Sequence, residues 1–174
     1  MNNSVLTLIG FAIYCITAIV SDEIEWNRFV SSNYGSRLIR HQGGDLFIHE
    51  NDGSLLFFED STFRVVEGLN GAGSEYVSFQ SINYPNHYIA HTGFRLKIRE
   101  FEDTPLFKND ASFREGAALN GRGDYVSFEA SNYPNYYIRH RNFELWLDQY
   151  QNTQLYKDDA SWSIYEIDPN PKIN

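Results

Sequence analysis

The chain has one cysteine, Cys15, and one methionine in 174 residues, and its 14 basic residues are outnumbered by 23 acidic ones. With no second cysteine there is no internal disulfide, so the fold rests on its own core, which a domain of this length can supply. The net charge of -9 argues against DNA or RNA as a partner, because affinity for phosphate backbones comes largely from Lys and Arg. It equally disfavours anionic membranes and acidic polysaccharides, while leaving neutral ligands open. Charge of either sign is missing from residues 1–21, where Val5 to Val20 form the longest apolar run. Sixteen residues fall short of the roughly 20 that a membrane-spanning helix needs. Small Ala18 and Ser21 followed by Asp22-Glu23 suit a cleaved secretory signal over 1–21, although the n-region lacks its usual Lys or Arg. The expectation is secretion, with anchoring by this segment as the alternative.

Other absences concern chemistry. There is no GxSxG and no phosphate-cradling GxxxxGK[ST], and the repeated histidines, 50 and 49 residues apart, show no ligand spacing such as H-x-x-x-H, so neither nucleophilic catalysis nor a metal centre is indicated and no cofactor is expected. Segments of ten or more residues with helical period are missing too, which leaves short alternating runs such as Phe94 to Ile98 between Gly, Asn, Asp and Pro. Those runs read as strands and turns, about four strands per 50 residues.

What is present is a pattern that recurs. SNYGSRLIRHQGGDLFI from Ser32, INYPNHYIAHTGFRLKI from Ile82 and SNYPNYYIRHRNFELWL from Ser131 align on His41, His91 and His140. An aspartate follows each histidine by nineteen residues (Asp60, Asp110, Asp159), and a large aromatic comes three further on (Phe63, Phe113, Trp162). Three copies are too few for a propeller, so we expect an all-β chain closed with pseudo-threefold symmetry, a β-trefoil of three repeats of about 50 residues over 22–167. Residues 168–174 are expected to be a tail. Leu46, Leu96 and Leu145, with Ile48, Ile98 and Leu147, Leu56, Leu106 and Leu155, and the three aromatics, are the expected core. The third copy lacks the strand that ends at Phe79 and Phe128 in the others. Phe29 stands at the equivalent place, so the N-terminal strand is expected to complete it and remove an open edge.

NYPxxYIRH, the following FxLxL, the DASF/DASW element and Ala118 to Gly123 together resemble the arabinose-binding (AbfB) domain of α-L-arabinofuranosidase B, carbohydrate-binding module family 42. The resemblance covers roughly Trp26 to Ile167. The Gln-x-Trp motif of ricin-type trefoils is missing. The resemblance implies a β-trefoil that binds arabinofuranose side chains of neutral glycans, at most one pocket per repeat. It assigns carbohydrate contacts to His91 with Asp110 and to His140 with Asp159. A carboxylate can accept two hydrogen bonds from vicinal hydroxyls and a neutral imidazole can donate one. Tyr84, Tyr133, Phe94 and Phe143 are candidate packing surfaces for a furanose. His41 and Asp60 form a weaker third site, because Gly44 replaces the aromatic and Ser61-Thr62 replaces Ala-Ser.

Blander readings stand beside these. Each aspartate could cap its own turn, each histidine could be a packed strand residue, and the asparagines of Asn-Tyr read as turn formers. Three function classes follow. The first is a secreted, monomeric, non-catalytic carbohydrate binder. The second is an arabinofuranosidase-related protein active in L-arabinose metabolism, which the spread of single aspartates over three repeats disfavours. The third is an interaction trefoil with vestigial sugar sites.

Overall fold

The computed structural model describes residues 25–168. The signal expected over 1–21, and all of the expected tail except Asp168, lie outside the described residues. Twelve strands and three six-residue helices make up that region, and one element order runs through it three times. Strands β1 (Trp26–Ser31), β2 (Arg37–Gln42) and β3 (Asp45–Glu50) lead into helix α1 (Leu55–Asp60) and strand β4 (Phe63–Glu67). The second set is β5 (Tyr76–Ser81), β6 (His87–Thr92), β7 (Arg95–Glu100), α2 (Pro105–Asp110) and β8 (Phe113–Ala117). The third is β9 (Val126–Ala130), β10 (Tyr136–Arg141), β11 (Glu144–Gln149), α3 (Gln154–Asp159) and β12 (Trp162–Ile167).

All pairings are antiparallel. β4 pairs β5 from Phe63↔Ser81, and β8 pairs β9 from Phe113↔Ala130. The counterpart of these two is formed by the chain ends, since β1 pairs β12 along its length from Trp26↔Ile167 to Ser31↔Trp162. The first strand thus fills the gap that its Phe29 spacing had suggested.

β2–β3, β6–β7 and β10–β11 are hairpins with two-residue turns at Gly43-Gly44, Gly93-Phe94 and Asn142-Phe143. Both residues of each turn have positive φ, between 52° and 88°, as the type I′ turns that match strand twist demand. Each second turn residue passes its carbonyl to the next hairpin. Ile98 N–H donates to Gly44 O at 2.9 Å, Leu147 N–H to Phe94 O at 2.8 Å and Ile48 N–H to Phe143 O at 2.8 Å. The three hairpins therefore close a ring. Arg95 plugs it, its Nη1 donating to the carbonyls of Leu46, Leu96 and Leu145, one from each hairpin.

Inside the ring, Phe29, Phe79 and Phe128 meet edge to face, with centroids 5.0–5.9 Å apart. Around them lie Ile39, Ile89 and Ile138, Leu46, Leu96 and Leu145, and Phe63, Phe113 and Trp162, all buried. Ile48 and Leu147 are buried as expected, while Ile98 is only partly so.

One core expectation is overturned. Leu56, Leu106 and Leu155 are 58%, 69% and 64% exposed, and the buried positions are the next residues, Phe57, Phe107 and Tyr156. Strand-like reading of Leu106-Phe107 gave the wrong side, because the segment is a helix. Ser54, Thr104 and Thr153 cap the three helices by accepting from the N–H of Phe57, Phe107 and Tyr156, as N-cap hydroxyls do. Thr62, Ser112 and Ser161 hydroxyls then bond the carbonyls of Phe58, Lys108 and Lys157, which helps end each helix after its aspartate.

Candidate functional site

That helix end carries Asp60, Asp110 or Asp159 toward the end of the adjacent strand, where His41, His91 or His140 sits. Three clefts of about 400, 400 and 380 Å³ open at these places. Site I is lined by Arg40, His41, Gly44, Leu56, Asp60, Tyr84 and His87. Site II is lined by His91, Phe94, Arg99, Leu106, Asp110 and Tyr133. Site III is lined by Tyr34, Arg139, His140, Phe143, Leu155 and Asp159.

The predicted residues come together as His91, Phe94, Asp110 and Tyr133 in site II and as His140, Phe143 and Asp159 in site III. Tyr84 does not join His91. It lines site I with His41 and Asp60, its ring 5.5 Å from the His41 ring. Each cleft takes its tyrosine from the following copy of the pattern, and site III closes the circle with Tyr34, 5.5 Å from His140. Tyr34 was missed, although Asn-Tyr in all three copies advertised it. What was not visible is that Asn-Tyr serves the preceding copy's cleft.

The asparagines are corrected in the same way, since they bridge histidine to aspartate. Asn83 Nδ2 donates to Asp60 at 2.9 Å while its Oδ1 accepts from His41 Nε2 at 2.9 Å. Asn132 does this between Asp110 (2.8 Å) and His91 (3.2 Å). Asn33 does it between Asp159 (2.7 Å) and His140 (2.9 Å). In this network Nε2 carries the imidazole proton, because amide Oδ1 can only accept. Ser31 and Ser81 hydroxyls also donate to Asn33 and Asn83 at 2.8 Å. Ala130 stands at the third such position, and there His91 Nε2 draws to 3.1 Å of Asp110, against 3.5 Å in the other two sites.

Arginines complete the frame. Arg40 meets Asp60 at 3.0 Å and Arg139 meets Asp159 at 2.8 Å, each from the residue before the histidine. Site II has Ala90 there, and Arg99 reaches Asp110 from the partner strand at 3.5 Å. All three aspartates are buried at 5–6% exposure. Their side-chain oxygens meet side chains of Asn, His and Arg, so they do not cap their own turns. Burial pushes the His140 imidazole down to about 4, against the pull of Asp159. It also lowers His41, against the Asn83 hydrogen bond and the Asp60 charge. Both rings are therefore neutral at pH 7.

Phe94 and Phe143 stand at φ 65° and 64°, a backbone region that costs a bulky residue on the order of 1 kcal/mol or more and clusters at functional sites. The cost is met by the carbonyl bonds described above, and it presents the two rings at the rims of sites II and III. Each cleft thus combines a fixed carboxylate, an imidazole and a guanidinium with exposed leucine and aromatic surface. That arrangement suits a neutral polyol with one apolar face. Among the described residues, no group of three His, Cys, Asp or Glu converges to hold a metal ion.

The family model of the alpha-L-arabinofuranosidase B (ABFB) domain matches residues 54–164. A GH54 α-L-arabinofuranosidase soaked with 4-nitrophenyl α-L-arabinofuranoside superposes with a TM-score of 0.72 at 30% identity, over 80% of this chain and 30% of that one. An arabinofuranosidase complexed with arabinofuranosyl-alpha-1,2-xylobiose matches at 0.72 and 30% identity, over 81% and 30%. The chain thus spans about a third of the length of these solved structures. The BEL beta-trefoil matches at 0.61 with 12% identity, over 82% and 93% of the two chains, a likeness of fold alone. No curated protein sequence matches the chain. On the strength of the family match, which takes in all three helix-end aspartates, two of the three histidines and two of the three bridging asparagines, the chain belongs to the alpha-L-arabinofuranosidase B (ABFB) domain family.

Proposed function

We propose that this chain is a secreted, non-catalytic, monomeric β-trefoil of three repeats over 22–167 that binds arabinofuranosyl side chains of neutral glycans. The observation that carries the reading is the triplicated cleft: a buried Asp and His bridged by Asn and met by Arg, beside exposed Tyr and Leu, three times in one small chain. A furanose hydroxyl pair can meet the carboxylate and guanidinium while its carbon face lies on the tyrosine. The arabinofuranosyl ligand in a related solved structure supports the sugar class. Three like clefts favour avidity on a multiply substituted polymer.

Hydrolysis needs two carboxylates about 5–5.5 or 6.5–9.5 Å apart, and each of the three clefts is lined by one. Glu75, Glu115 and Glu129 line a separate cleft. There Glu129 is tied to Arg114 and to the Asn135 N–H, which occupies both of its carboxylate oxygens. The acidic balance supports a partner other than nucleic acid.

Titration calorimetry with arabinofuranosylated xylan and with unsubstituted xylan tests the reading, alongside an assay on 4-nitrophenyl arabinofuranoside. Binding to the first polymer only, with no turnover, is expected. Equal heats for both polymers, or turnover lost in Asp110→Ala, would overturn it. Secretion is tested by sequencing the protein from its host medium. A mature N-terminus near residue 22 is expected, and an intact Met1 in the membrane fraction would refute it.

A further inference from the structure

Sites II and III have a ring where site I has none. In site II, Phe94 lies 4.9 Å from Tyr133 and stacks on Tyr136 at 5.2 Å. In site III, Phe143 lies 5.4 Å from Tyr34, with the Arg37 guanidinium 4.4 Å over its face. Each phenylalanine thus fills one flank of its cleft and covers the first residue of a neighbouring hairpin strand. Site I has Gly44 at this place, and nothing lies within 4 Å of where its Cβ would be. The residue in line with Tyr136 and Arg37 is His87, which lines the cleft instead of being covered, leaning on Tyr84 at 5.3 Å.

His87 Nδ1 is buried and has no hydrogen-bond partner. A buried nitrogen left unpaired is costly, and such an atom calls for a partner. The rest of the frame of site I is intact: Asp60, Asn83, His41 and Arg40 keep the bonds found at their counterparts. The cleft therefore keeps the floor of the other two, opens one flank and sets the His87 ring, with its unpaired Nδ1, beside that flank.

The geometry points to site I as a third carbohydrate subsite with its own selectivity, for a furanose that carries a further sugar residue. The first ring occupies the Asp60–Asn83–His41 floor, and the second takes the space that Phe94 and Phe143 fill elsewhere, with a hydroxyl on His87 Nδ1. In sites II and III that flank is closed, so they hold a terminal furanose alone. This assignment rests on the proposed sugar binding and sharpens it.

Amide NMR of the full chain separates the two, because Gly43 reports site I and Gly93 reports site II. The probes are methyl α-L-arabinofuranoside and α-1,5-linked arabinotriose. At Gly43 the triose should bind about tenfold more tightly than the methyl glycoside, the value of one good added contact. At Gly93 the two should differ little. Gly44→Phe, which installs the ring that the other two turns carry, should erase the Gly43 preference. His87→Phe should weaken triose binding there about fivefold to tenfold, as loss of one hydrogen bond predicts. Gly93 should titrate normally in both variants, which also certifies folding. A silent Gly43 beside a responsive Gly93 would overturn the site I assignment and leave the proposed function standing. Silence at both would overturn the proposed function itself.

Discussion

Removing the three aspartates one at a time should not cost the same, and the ranking follows from their arginines. Asp60 is 5% exposed, and Arg40, 8% exposed, donates to it from both Nε and Nη2. Asp60→Ala leaves a buried guanidinium without its counter-charge, and breaking a buried pair from one side costs about 3–5 kcal/mol. It also strips the Asn83 amide of its acceptor. Arg99, by contrast, sits 3.5 Å from Asp110, is 25% exposed at the side chain and holds Glu102 at 2.9 Å. Asp110→Ala should therefore cost only the Asn132 and His91 bonds, about 1–2 kcal/mol. Asp159→Ala should fall between, since Arg139 keeps Asp148 at 3.2 Å. At roughly 2–4 °C per kcal/mol for a domain of this size, melting should drop by about 10 °C for Asp60→Ala and about 4 °C for Asp110→Ala. Scanning calorimetry reads this directly. Adding Arg40→Met to Asp60→Ala should recover about 2 kcal/mol, because the stranded charge goes with it. Equal losses at the three sites, or no recovery in the double variant, would sink the claim that these carboxylates are braced by arginine. Sugar affinity measured on the same proteins separates bracing from contact.

Stability should fall as pH drops from about 6.5 toward 4. The folded His140 imidazole holds its proton only below about 4 and His41 is lowered in the same direction, so the unfolded chain takes up protons first and is favoured. For His140 the full loss is on the order of 3 kcal/mol, and melts of His140→Gln across this range should be flatter than wild type; an identical slope would refute it. Phe143→Gly should change stability by less than about 1 kcal/mol, since relief of positive φ offsets lost packing, yet weaken site III for furanosides; a large drop in melting temperature would show that the ring serves packing alone. Arg95→Leu should cost about 2 kcal/mol in urea unfolding, because three carbonyls, one from each hairpin, lose their shared donor; an unchanged midpoint would remove Arg95 from the ring closure.

Strand character, the period and the inward side of most strands are legible along the chain. Alternation such as Leu96, Lys97, Ile98 reports one wet and one dry face directly, and His, Asp and aromatic at constant spacing mark equivalent places. The role of the first strand was legible too, since Phe29 keeps the spacing of Phe79 and Phe128. Which copies share a cleft is set by the packing in three dimensions. Tyr84 serves His41 and Tyr34 serves His140 because hairpins and helix ends of successive copies abut around an axis, and linear spacing carries no information about that handoff. The same packing decides that Leu56, Leu106 and Leu155 face the clefts, since a capped turn of helix too short to show a period reverses the side that strand parity assigns. Asn33, Asn83 and Asn132 bridge because burial leaves each aspartate and histidine in want of partners, and Arg99 replaces the missing neighbour of His91 from across a strand pair. Proximity between strands set both, and no pattern along the chain encodes it.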